Sequence, residues 1–99
     1  MSFEVTDTNG VTRVVLTGEI DLEQSPAARE AVLEAVGRGR SVEVDLADVS
    51  YIDSSGIASL VEGLQQARSH DVDFALCRVS DPVRKVLELA RLDRVFTLR

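Results

Sequence analysis

Apolar and polar residues alternate over the first part of the chain. Phe3 and Val5 are separated by Glu4 and followed by Thr6, and Val11 to Thr17 is rich in valine and threonine, so each stretch predicts a strand. Between them Asp7-Thr8-Asn9-Gly10 ends on an Asn-Gly pair, the residues that best supply the positive φ angles of a tight hairpin turn. Gly18 to Leu22 then leaves the strand. Ser25-Pro26 reads as an N-cap followed by a proline, and Ala28, Ala31, Val32 and Ala35 set a helical stripe over about Pro26 to Val36, with Leu33 and Val36 flanking it and Gly37 and Gly39 stopping it.

Ser41 to Leu46 alternates again through Val42, Val44 and Leu46, and from Ile57 the apolar positions fall at Ile57, Leu60, Val61 and Leu64. The period thus changes from two to 3.6, so a central strand feeds a second helix that reaches about Ser69. Val72 to Cys77 predicts another strand. Ser80-Asp81-Pro82 repeats the cap-then-proline start, and Val83, Val86, Leu87 and Ala90 carry a third helix. Val95 to Leu98 closes the pattern as a short edge strand.

The order β-β-α-β-α-β-α-(β) predicts an α/β fold: a mixed sheet opened by an antiparallel hairpin, continued by parallel strands on right-handed crossovers, with about three helices packed against it. In such sheets function gathers where parallel strands end and loops enter helices. Asp53-Ser54-Ser55-Gly56 lies at such a point. Gly18 to Leu22 is expected to come near it, provided that the two strands are neighbours.

Composition narrows the partners. Ninety-nine residues form a single domain over 1–99, and a chain of that size buries somewhat over ~60% of its unfolded surface. The net charge of −6 argues against the phosphate backbone of nucleic acid and against anionic lipid surfaces. One cysteine, Cys77, and one histidine, His70, give no ligand cluster for a metal, and no cofactor motif appears. The first residues lack a basic segment with an apolar core, and no apolar run approaches the ~18 residues that span a bilayer, so the expectation is a cytoplasmic protein without membrane insertion. Arg84, Lys85, Arg91 and Arg94 read as a solvated face.

The candidate chemistry sits at the start of the second helix. Asp53 can cap the first amides, and Ser54 and Ser55 lie in the first turn, where the helix dipole favours negative charge such as a phosphate. First-turn serines also serve simply as helix starters, so the residues alone leave both roles open. Gly56 and Gly63 share one side of this helix at a cost of roughly 1 kcal/mol each against alanine, which implies close approach either by another element or by a partner. An enzymatic reading fails on distance. His70 would have to act as base, yet it stands about 24 Å along the helix from Ser54 at 1.5 Å per residue. Cys77 ends an apolar strand and reads as core.

Three segments carry a family resemblance: Leu16-Thr17-Gly18-Glu19-Ile20-Asp21, Val44-Asp45-Leu46 through Tyr51-Ile52-Asp53-Ser54-Ser55-Gly56-Ile57, and Ser80 to Leu87. With the element order, they make the chain resemble a STAS domain, most closely the bacterial anti-sigma factor antagonists. The resemblance implies a non-enzymatic phosphoprotein. Unphosphorylated, it would bind an anti-sigma factor that is also a serine kinase and so release a sigma factor for transcription; the kinase would phosphorylate Ser54, and a serine phosphatase would reverse this. By motif position, Asp21, Asp53, Ser54, Ser55 and Gly56 would form the partner surface. The alternative within the same resemblance is a cytoplasmic STAS subunit of a phospholipid-transporting ABC complex, where the serine position often holds another residue.

Overall fold

Asn9 and Gly10 both adopt left-handed backbone, with φ of 53° and 80°, and so fold β1 (Ser2–Thr8) tightly back on β2 (Val11–Ile20) in an antiparallel pair. The computed structural model describes Met1–Arg99, and the elements that follow are α1 (Ser25–Gly37), β3 (Ser41–Ile52), α2 (Ser54–Ser69), β4 (Phe74–Cys77), α3 (Asp81–Leu89) and β5 (Thr97–Leu98). The sheet runs β1-β2-β3-β4-β5, and every pair after the hairpin is parallel. Strands added one beside the next by right-handed crossovers put all their helices on one face. The core reflects this, since Val14, Val44, Leu46 and Leu76 from the sheet cluster with Val32 of α1, Leu60 of α2 and Leu87 of α3.

Both strands that lead to the α2 start are longer than their alternation predicts. β2 continues through Gly18 and Glu19 to Ile20, and β3 continues past Leu46 to Ile52. The reason is two register slips, between Val15 and Thr17 and between Gly18 and Glu19, each of which places an extra β3 residue opposite β2. Gly18 supplies the left-handed geometry there, with φ of 86°. The inward positions of β3 are therefore Val42, Val44, Leu46, Val49 and Ile52, and the step from two to three residues conceals the second half of the strand.

Three smaller expectations are also corrected. Ser25 is not a cap: it is the first helical residue of α1, Gln24 occupies the cap position, and the Ser25 hydroxyl donates to the Leu22 carbonyl at 3.3 Å. Ser80 does precede α3, but its hydroxyl reaches across to the Val49 carbonyl at 2.7 Å instead of capping. β4 begins at Phe74, not Val72, and all four of its residues are buried. No helix is long and apolar enough to cross a membrane.

The sheet face away from the helices is covered by ion pairs. Asp45 is 1% exposed, and its carboxylate accepts from Arg13 Nη1 at 2.9 Å and from Arg78 Nε and Nη2 at 3.0 and 2.6 Å. Glu43 pairs with Arg13 at 3.0 Å and with Arg99 at 3.3 Å. Cys77 lies on this face, in register with Asp45 and outside the main core cluster; burial pushes its thiol up.

Candidate functional site

The start of α2 is held from below. Asp53 is extended, with φ −109° and ψ −173°, and its Oδ1 accepts from the Ser55 and Gly56 N–H groups at 3.0 and 3.1 Å and from the Ser55 hydroxyl at 2.5 Å. The expected cap is thus formed. These donors hold the Asp53 carboxyl below the usual carboxylate range, with the Ser55 hydroxyl contributing most, and the Leu22 N–H adds to the same effect. Asp53 N–H also donates to the Ile20 carbonyl at 3.3 Å. One residue therefore ties the end of β2 to the first turn of α2.

Gly56 and Gly63 answer the question of close approach. A Cβ on Gly56 would lie 2.6 Å from Ile52 Cγ1 and 2.9 Å from the Ile20 carbonyl, and one on Gly63 would collide with Val32 and the Phe74 ring. The neighbouring elements are the chain's own. Ser59, buried one turn into α2, donates to the Ser55 carbonyl at 3.1 Å and the Ser25 carbonyl at 3.2 Å, which joins the starts of α1 and α2. Arg29 and Glu62 close the same seam with two bonds at 2.6 and 2.8 Å.

Above this foundation the five predicted partner-surface residues differ. Ser54 is exposed, and no hydrogen bond engages its hydroxyl, whereas the half-buried Ser55 is tied to Asp53. Asp21 is half-buried and stands beside the site, where its Oδ1 accepts from the Gln24 N–H at 3.0 Å and its carbonyl from the Ser25 N–H at 2.8 Å. Asp53 is also half-buried. Gly56 is buried and supports the surface from beneath. The approach of Gly18 to Leu22, expected from topology, is realised through Ile20 and Leu22. His70 closes the other end of α2, with Nδ1 2.8 Å from the Gln66 carbonyl.

The sequence reading passed over two residues of this surface. Leu22 is 74% exposed on the β2–α1 loop, and Tyr51 is 49% exposed near the end of β3, two residues before Asp53. Leu22 interrupts an otherwise polar run, Asp21-Leu22-Glu23-Gln24, which is the signal that was available; Tyr51 sits beside Ile52 in the strand and carries no such signal.

What the arrangement offers chemically is one free hydroxyl at a helix N-terminus, with the neighbouring cap already filled. A phosphate on Ser54 would meet the positive end of α2 without displacing Asp53.

Comparison with known proteins gives a consistent set. The STAS domain family model matches residues 2–99. An anti-sigma-B factor antagonist from Listeria monocytogenes is 28% identical over 87 residues, covering 87% of this chain and 76% of its own. The crystal structure of an anti-sigma factor antagonist from Mycobacterium paratuberculosis superposes with a TM-score of 0.89 at 26% identity, covering 98% of this chain and 83% of that one. The Bacillus cell fate determinant SpoIIAA in its phosphorylated form shares the fold, with a TM-score of 0.74 at 20% identity over 99% of this chain and 91% of that one.

Proposed function

This chain belongs to the STAS domain family, and from that premise we propose that it is an anti-sigma factor antagonist working as a phosphorylation-controlled partner switch, with Ser54 as the switch residue. The observation that carries the reading is the contrast within one turn: Ser54 is exposed with a free hydroxyl, while Asp53 and Ser55 are bonded to each other and to the helix.

Unphosphorylated, the surface around Ser54 docks a serine-kinase anti-sigma factor and frees the sigma factor. The kinase then transfers the terminal phosphoryl group of ATP to Ser54 Oγ: an O–P bond forms at the serine, the bond to ADP breaks, and the hydroxyl proton passes to a base of the kinase. A serine phosphatase restores the hydroxyl by hydrolysis. The phosphate brings about −1.5 to −2 charges at neutral pH. In the free protein the α2 dipole tolerates it, but in the middle of an interface it must be desolvated beside Asp53. A loss of about 2.7 kcal/mol would weaken binding roughly a hundredfold, enough to exchange partners without a change of fold. That a protein of this fold, SpoIIAA, has a phosphorylated form supports the reading.

The test is phosphorylation by the purified serine-kinase anti-sigma factor of the same host, with ATP and peptide mapping. One phosphate is expected on Ser54, absent in Ser54→Ala and retained in Ser55→Ala. Phosphate on Ser55, or none at all, would overturn the assignment.

A further inference from the structure

We propose that Leu22 and Tyr51 are the apolar anchors of the surface that holds this partner, and that the partner's matching face is a pair of apolar depressions bordered by lysine and arginine. The inference rests on the reading of Ser54 as the centre of that surface and adds what grips on either side of it.

Leu22 is 74% exposed, yet its loop is fixed. Its carbonyl accepts from the Ser25 hydroxyl at 3.3 Å, its N–H faces the Asp53 carboxylate, and the preceding Asp21 carbonyl accepts from Gln24 and Ser25 N–H at 3.1 and 2.8 Å. A mobile loop would hide or scatter a leucine; this one holds it out. Tyr51 is 49% exposed and stands on the strand ladder opposite Glu19, three residues before Ser54. Apolar side chains held in place before binding lose little freedom on docking, and tyrosine is among the residues that most often dominate interface energies.

Charge identifies the border of the partner's face. Residues 18–24 and 49–58, which form this end of the molecule, contain four carboxylates, Glu19, Asp21, Glu23 and Asp53, and no lysine, arginine or histidine. Among the arginines, Arg29 is engaged with Glu62 and Arg78 with Asp45, while the exposed Arg84 and Lys85 of α3, whose start is bonded to the Val49 carbonyl through Ser80, border this acidic end on one side. Apolar anchors ringed by acid repel nucleic acid and anionic lipid and attract a basic protein face. The same distribution separates attraction from grip: the carboxylates govern encounter, and the anchors govern residence. Phosphate on Ser54, three residues after Tyr51 and next to Asp53, adds charge at the same end of the molecule and is expected to act on residence.

The experiment is surface-plasmon measurement of association and dissociation of the host's purified serine-kinase anti-sigma factor on the full chain, with circular dichroism of every variant. Leu22→Ala and Tyr51→Ala are each expected to speed dissociation about tenfold or more while association changes little. Leu22→Met, which keeps apolar bulk, restores the wild-type rate. The double variant Glu19→Gln, Glu23→Gln slows association and flattens its salt dependence. If Leu22→Ala and Tyr51→Ala bind as wild type while Ser54→Asp does not bind, the anchors are wrong and the switch reading stands. If wild type does not bind the kinase, the switch reading fails and takes the anchors with it.

Discussion

Two aspartates on β3 and at its end, Asp45 and Asp53, are both held below the usual carboxylate range, by different means and with different consequences. At Asp45 burial pushes the carboxyl up, but hydrogen bonds from Arg78 and the Ala47 N–H and the charges of Arg78 and Arg13 outweigh it. Its partners come from β2 and from the residue after β4, so the carboxylate fastens three strands together and leaves nothing free. Asp53 is satisfied almost entirely by groups within three residues of it, and the serine between is left without a partner. A depressed carboxyl therefore marks strand-fastening structure in one place and the proposed partner surface in the other. The group left unbonded makes the difference, not the shift.

Substitutions should separate the two regions. Asp45→Ala leaves Arg13 and Arg78 facing each other without their shared anion; because both arginines reach solvent, the expected loss is about 2–3 kcal/mol, below the range for a fully buried pair, measured by thermal or urea unfolding. Partner binding at the far end should survive it. Gly56→Ala places a methyl group against Ile52 and the Ile20 carbonyl and should cost about 2 kcal/mol, with binding also impaired because the first turn of α2 must move. Asp53→Ala should lower the melting temperature by only a few degrees while weakening binding more than Asp45→Ala does, since it releases both the α2 start and the Leu22 loop.

Acid sharpens the contrast. For both groups the folded carboxyl is the stronger acid, so each contributes fully above the unfolded value of about 3.9 and loses its contribution as pH falls through the lower, folded value. Wild-type stability should hold down to about pH 4 and then decline. Asp45→Asn should show a shallower decline than wild type in circular dichroism melts across that window, because one of the linked protons is gone.

The sequence made much of this visible, for physical reasons. Alternation located the hairpin and the first half of β3, and the 3.6-residue stripe located α2, because those segments bury one face only. The Asp-Ser-Ser-Gly turn was legible because helix starts need local acceptors, and local needs appear at fixed spacing. The second half of β3 was hidden by the register slips, which break the period while keeping the face. Asp45 looked like an ordinary outward residue, since its partners Arg13 and Arg78 lie 32 and 33 positions away. Ser25-Pro26, Asp53-Ser54 and Ser80-Asp81-Pro82 all read as helix starts, yet the first and third serine hydroxyls bond distant or preceding carbonyls, and only Ser54 stays free. Pattern places a serine at a turn; tertiary packing decides whether it is available.

The central claim is that Ser54 decides which partner is held. Its most direct test is retention of proteins from the native host's lysate on immobilised wild type, Ser54→Ala and Ser54→Asp, after melts confirm that all three fold alike. A serine-kinase anti-sigma factor kept by wild type and Ser54→Ala and lost with Ser54→Asp is the predicted result. A permease and its ATPase kept equally by all three would contradict the account and make this chain a transporter subunit, with Ser54 no more than the first residue of a helix.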